Sequence, residues 1–149
     1  MSDKEKVWKF CMDMLLEKQK GIQQLIADAR AASNNDTKSS MGDKYETTRE
    51  MMQIEINKLQ LQLQECGQML LALKVIDPEK RSEIAESGAL VFTDKINFFI
   101  ATGIGRVQVE NQSWMVVSSS SPIGKSMQGK KVGDLLTTQA FHAKILQIS

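Results

Sequence analysis

Cysteine is scarce in this chain: Cys11 and Cys66 are the only two. They share no CxxC or Cys/His spacing, which excludes a disulfide framework and a zinc cluster. Histidine is scarcer, with His142 alone, and it has no Cys, Asp or Ser partner at a recognisable spacing, so no nucleophilic triad can be drawn. No apolar run approaches the ~18 residues of a membrane helix. The opening "MSDKEKVWKF" lacks the apolar centre of a secretory signal, so the expected protein is cytoplasmic and has no membrane partner. Neither sign of charge dominates. The formal net charge is +1 and there is no basic or acidic tail, so a nucleic-acid partner would have to be met through a local patch.

The two prolines stand at 78 and 122, which leaves the first half free to form long helices. There, apolar residues step by three and four. Trp8, Cys11, Leu15, Ile22, Leu25, Ala29 and Ala32 form one series, broken only by Lys18. Met52, Ile56, Leu59, Leu63, Cys66, Leu70 and Leu73 form a second, unbroken one. Both follow the spacing of coiled-coil seams, and each segment of roughly 30 residues would make a rod of about 45 Å. The short connection predicts an antiparallel hairpin over 1–76, with a tip at 33–46 and residue numbers across the seam adding to about 77. That register sets Trp8 near Leu70, Leu15 near Leu63, Ile22 near Ile56, Leu25 near Met52 and Ala32 near Tyr45. Lys18, near Leu59, would extend its amine out of the seam. Cys11 and Cys66 would share a layer, either as a redox clamp or as two small reduced core residues.

At Asp77-Pro78 the helical period stops, and 77–88 reads as a charged linker without a strong apolar face. Short runs of β type follow over 89–149: "ALVFT", "INFFIA", "RVQVE", "WMVVSS", "DLLTT" and "AFHAKILQI". Within them, "SPIGKSMQGKKVGD" predicts a short helix, with Pro122 in its first turn and Gly129 at its end, followed by a Gly-Asp turn. The fold class is therefore α+β, a helical hairpin followed by a small strand-rich domain with one short helix.

Several local patterns carry possible chemistry. "GKS" at 124–126 sits between a strand and a helix, but a phosphate loop needs glycine where this chain has Ser119, and Pro122 falls inside the loop. "GIG" at 103–105 reads as a hairpin turn. His142 alternates with Phe141 and Ala143 and so faces solvent. Lys125, Lys130 and Lys131 form either a solvated face or a docking patch for an acidic partner. Phe92, Phe98, Phe99, Trp114 and Phe141 could line a proline pocket, but strand alternation buries most of them as core.

The loop "NNDTKSSMGDKYET" holds three acids, Asp36, Asp43 and Glu46. Asp43 and Glu46 stand three apart at a helix start, the spacing of a capping box, and Ser40 with Asp43 makes a competing one. The same carboxylates, with Asp36 as a third candidate, are hard oxygen donors of the kind Mg²⁺ accepts. So small a ligand set would complete a metal site supplied mainly by another molecule.

Two motifs resemble the Gre family of bacterial transcript-cleavage factors. Ser121, Pro122, Ile123, Gly124, Gly129, Lys130, Gly133 and Asp134 match the family's C-terminal signature, and Gly42, Asp43 and Glu46 match its Gly-Asp-x-x-Glu tip. The resemblance implies an FKBP-like C-terminal domain that docks on RNA polymerase through 121–134, Lys125 included. It also implies a monomeric accessory factor whose hairpin enters the secondary channel. Asp43 and Glu46 would there share Mg²⁺ with the polymerase and promote its cleavage of the nascent RNA 3′ end. After Glu46 the family usually continues Asn-Ala-Glu-Tyr, where this chain has "TTRE". A Gre-like regulator or inhibitor that does not stimulate cleavage, and a structural coiled-coil adaptor, therefore stand as alternatives.

Overall fold

In the computed structural model the helical periodicity becomes two helices of 33 residues each, α1 (Asp3–Asn35) and α2 (Gly42–Lys74). The structure describes residues 1–35 and 42–149, with backbone alone at 35 and 42–45. The six short runs become β1 (Leu90–Thr93), β2 (Asn97–Ile100), β3 (Gly105–Val109), β4 (Gln112–Val117), β5 (Leu135–Thr137) and β6 (His142–Ile148), with α3 (Pro122–Met127) between β4 and β5. The architecture is α+β, as the two periods predict. The chain divides into two compact units, one of residues 14–70 and the other of residues 1–13 with 71–149.

Unit 14–70 is the paired middle of α1 and α2. Leu15, Ile22, Ile26 and Ala29 are buried on α1, and Ile56, Leu59, Cys66 and Leu70 on α2. The predicted α2 seam holds at every position, with Met52 and Leu63 half-buried. On α1 the seam departs from expectation, because Leu25 is 53% exposed while Ile26 is 6% exposed. Helical geometry explains the difference. At about 100° per residue, Ile26 falls roughly 40° from the line through Ile22, and Leu25 falls roughly 60° off on the other side. The same drift carries Ala32 out to solvent and half-buries Ser33. Lys18 is exposed, as a snorkelling lysine should be.

The expected register also shifts. The Cys66 thiol donates to the Leu15 carbonyl at 3.3 Å, and the Trp8 indole Nε1–H donates to the Leu73 carbonyl at 2.8 Å. Both contacts run antiparallel, and both fall three positions further along α2 than the predicted partners, Leu63 and Leu70. A half-buried indole N–H needs an acceptor, and the carbonyls of a helix's last turn are the ones left short of intrahelical partners. One consequence is that Cys66 lies at the Leu15 layer, one turn along α1 from Cys11. Both thiols are buried and free. Burial pushes the Cys11 thiol up to about 12.

In the other unit the sheet runs β3-β4-β2-β1-β6-β5, antiparallel except where β2 lies parallel to β4. "GIG" is therefore not the hairpin turn it resembles, since β4 lies between β2 and β3. Burial accounts for the order: β4 buries Trp114, Val116 and Val117 and takes an inner place, whereas β3 exposes Arg106 and Gln108 at the edge. The tight turn falls instead at Glu110-Asn111, with φ of 48° and 68°, the left-handed pair that a type I′ hairpin requires.

One face of the sheet carries a core of Val91, Phe98, Ile100, Val117, Leu136 and Ile145, closed by Met127 of α3. The alternate side chains Leu90, Phe99, Trp114 and Val116 are buried as well, as are Val7, Leu73 and Ile76 of the same unit. Val7 and Trp114 line one small cavity, and Ile76 packs against the Gly88 backbone. Lys4 is 5% exposed, and its Nζ donates to the Lys80 carbonyl at 2.6 Å; desolvation holds its amine below the usual lysine range. The 77–88 segment differs from a bare charged linker. Ala85 is fully buried in the core, its N–H donates to the Lys130 carbonyl at 2.8 Å, and its carbonyl accepts from Gly129 at 2.8 Å.

Ile26→Ala should cost about 2–4 kcal/mol in denaturant unfolding, and Leu25→Ala no more than about 0.5 kcal/mol; equal costs would contradict the observed seam. The unfolded thiol ionises near 9.0 and the buried Cys11 near 12, so that thiol's contribution is complete below pH 9 and is lost as pH rises toward 12. Unfolding midpoints followed over that range should fall less steeply in Cys11→Ala than in the wild type.

Candidate functional site

Two regions carry the sequence-predicted functional residues, and the structure treats them differently. In the 118–134 region every matched residue has a defined local task. Ser121 caps α3: its Oγ accepts from the Gly124 N–H at 3.1 Å and donates to the Ser118 carbonyl at 2.7 Å. Pro122 fills the first helical turn, where its fixed φ suits the backbone and its missing N–H is not needed. Ile123 packs its half-buried side chain against the sheet core.

Gly124 is required by contact, because a Cβ there would be driven into the Ser118 carbonyl oxygen and lie 3.0 Å from the Ser119 Cα. Gly129 ends the helix at φ +78°, and Gly133 turns the chain at φ +92°, both left-handed conformations that glycine adopts without strain. Asp134 closes that turn, its Oδ2 accepting from the Lys131 N–H at 2.8 Å while its own N–H donates to the Lys131 carbonyl at 3.0 Å. The predicted short helix and Gly-Asp turn are both present.

The cations of this region are Lys125 and Lys131, both exposed, and half-buried Lys130. Beside them Val132 and Leu135 are exposed large apolar residues. The surface around α3 thus combines positive charge with apolar area, a composition suited to an acidic, partly apolar protein partner. It does not suit a nucleotide. The Gly124 N–H is taken by Ser121, the Lys125 N–H by the Ser121 carbonyl at 2.8 Å, and the Ser126 hydroxyl by the Ile123 carbonyl at 2.7 Å. The groups with which a phosphate loop grips its ligand are therefore engaged.

At the hairpin tip, Asp36 and the side chain of Asp43 lie outside the described residues. Positions 43 and 46 fall at the start of α2, and Glu46 is exposed. Among the described residues no group of three His, Cys, Asp or Glu side chains could hold a metal. Carboxylates are hard donors of the kind Mg²⁺ accepts, and the Glu46 side chain is exposed.

His142 is exposed and pairs across strands with Thr137, as its alternation predicts. The aromatics are absorbed in packing. Phe92 meets Trp114 edge-on at 5.2 Å, and Phe98 meets Phe141 edge-on at 5.9 Å.

Sequence reasoning missed a groove on the hairpin flank, in the 14–70 unit, where Arg30 of α1 and Arg49 of α2 line a space with Gln53 and Gln60. Its signal was faint, because neither arginine belongs to a charge cluster along the chain; only the pairing of the helices brings them to one place.

Gly124→Ala should destabilise the C-terminal unit by more than about 2 kcal/mol, since backbone rather than a flexible side chain opposes the added methyl. Gly103→Ala, where nothing lies within 4 Å, should be near neutral in the same thermal unfolding.

Compared with models of protein families and with curated proteins, the chain matches none. Among solved structures it is similar to one described as the structure of the transcription factor Gfh1, with 17% identity, 92% of each chain covered and a TM-score of 0.38.

Proposed function

We propose that this protein is a Gre-like accessory factor of RNA polymerase. The observation that carries this reading is the placement of "GDKYE" at the first turns of α2, a helix of 33 residues and about 50 Å whose seam with α1 runs antiparallel. A narrow two-helix arm is the shape that enters a channel too tight for a globular domain. The position of Asp43 and Glu46 at the start of such a helix would deliver them at depth.

In this reading the surface around α3, with Lys125, Lys130 and Lys131, docks on an acidic rim of the polymerase. The local roles of Ser121, Pro122, Gly124, Gly129, Gly133 and Asp134 support that surface by fixing the backbone that displays it. Mg²⁺ shared between tip and polymerase would polarise the phosphodiester and lower the barrier to attack by water. The chain's own part would be to present Asp43 and Glu46 to that ion, with Asp36 as a third donor, from helices held together by their buried seam. The factor lends ligands, and the polymerase performs the hydrolysis at the nascent RNA 3′ end.

The test is RNA shortening in stalled elongation complexes at fixed Mg²⁺. Wild type should shorten the RNA. Asp43→Asn with Glu46→Gln should lose at least about tenfold in rate while still binding polymerase in a pull-down. Binding by the wild type without shortening would overturn the cleavage role and leave a regulator, and failure to bind polymerase would overturn the proposal altogether.

A further inference from the structure

The Arg30 and Arg49 groove is used by nothing in the proposed cleavage chemistry. It lies wholly within the 14–70 unit and is lined on α1 by Arg30, Ser33 and Asn34 and on α2 by Arg49, Gln53, Ile56 and Gln60. The space is about 440 Å³, and Ile56 in its lining is buried. Neither guanidinium has an ion pair among the described residues, although acids stand near on the same helices: Asp28 on α1, and Glu46, Glu50 and Glu55 on α2. Asp28 instead accepts from the Gln24 amide at 2.9 Å, and the Gln53 amide donates to Asn57 at 2.9 Å. Two arginines brought to one groove from facing helices, with side-chain amides and a serine hydroxyl around them, make a space whose formal charge is positive.

We infer that this groove binds a short phosphate chain, the triphosphate of a nucleotide being the natural size. Guanidinium forks match phosphate oxygens in pairs, and amide N–H groups complete such a shell. A flanking acid decides between a compact ligand and a strand. Glu46 stands three residues before Arg49 on α2, about 60° from it around the helix, and a phosphodiester backbone running on along that face would meet it. The positive spot is local, and it suits a ligand whose charge is concentrated.

The test uses the full chain in low-salt buffer, titrated with inorganic triphosphate, ATP and adenosine by calorimetry and by amide NMR shifts. Triphosphate and ATP should bind alike, adenosine should not bind, and the shifts should centre on residues 30–33 and 49–60. Arg30→Gln with Arg49→Gln should weaken triphosphate at least tenfold with helical circular dichroism unchanged. A control of equal charge, Lys20→Gln with Lys58→Gln, should change it less than twofold. Equal loss in the control would overturn the site in favour of diffuse attraction. A ten-nucleotide RNA that binds more tightly than triphosphate and loses that binding in the arginine double variant would overturn the compact ligand in favour of a strand. Absence of binding by triphosphate and ATP would overturn the inference entirely, whatever the outcome of the RNA-shortening test.

Discussion

The seam between α1 and α2 is the constraint on which the rest depends. Two helices of 33 residues gain little from helix propensity alone, and their order comes from burying one stripe of each against the other. The stripe is thin. In the 14–70 unit it comprises Leu15, Ile22, Ile26 and Ala29 on one side and Ile56, Leu59, Cys66 and Leu70 on the other. Each layer therefore carries a large share of the stability, and the two cross-helix hydrogen bonds, Trp8 to Leu73 and Cys66 to Leu15, fix how the layers meet. The same register brings Arg30 and Arg49 to one groove.

The C-terminal unit solves a different problem, that of seating a short, half-buried helix on a six-stranded sheet without leaving its backbone unpaired. Ser121 caps one end, Gly129 turns the other, and Ala85 ties the 77–88 segment to that end by two hydrogen bonds. Gly124 allows the helix to sit against the Ser118 carbonyl. A signature that reads as a recognition motif is thus also a folding motif, and in the proposed reading docking would fall to what it displays: the lysines, with Val132 and Leu135.

Much of this was legible in the sequence. All six strands and α3 follow from period and turn chemistry, and the α2 seam holds at Met52, Ile56, Leu59, Leu63, Cys66, Leu70 and Leu73. The α1 seam misled because Leu25 and Ile26 are adjacent and equally apolar, so composition could not choose between them and only helical angle did. The register misled because apolar residues meet at more than one offset along the two seams, and spacing alone could not choose the one in which the Trp8 indole reaches the Leu73 carbonyl, three residues further along α2. The sheet order was hidden because "GIG" offers glycines where no hairpin forms, and Glu-Asn at 110–111 makes the tight turn with less obvious residues. The arginine groove was hidden for a deeper reason, since it exists only across the pairing of two helices.

Whether the start of α2 reaches the polymerase active centre can be read from a photoreactive amino acid placed at position 43 and irradiated in a stalled elongation complex carrying labelled RNA. The expected crosslink is to the 3′-terminal nucleotides of the RNA or to the acidic residues that hold the polymerase's own Mg²⁺. A factor that binds the complex but crosslinks from position 43 only to the polymerase exterior would contradict it.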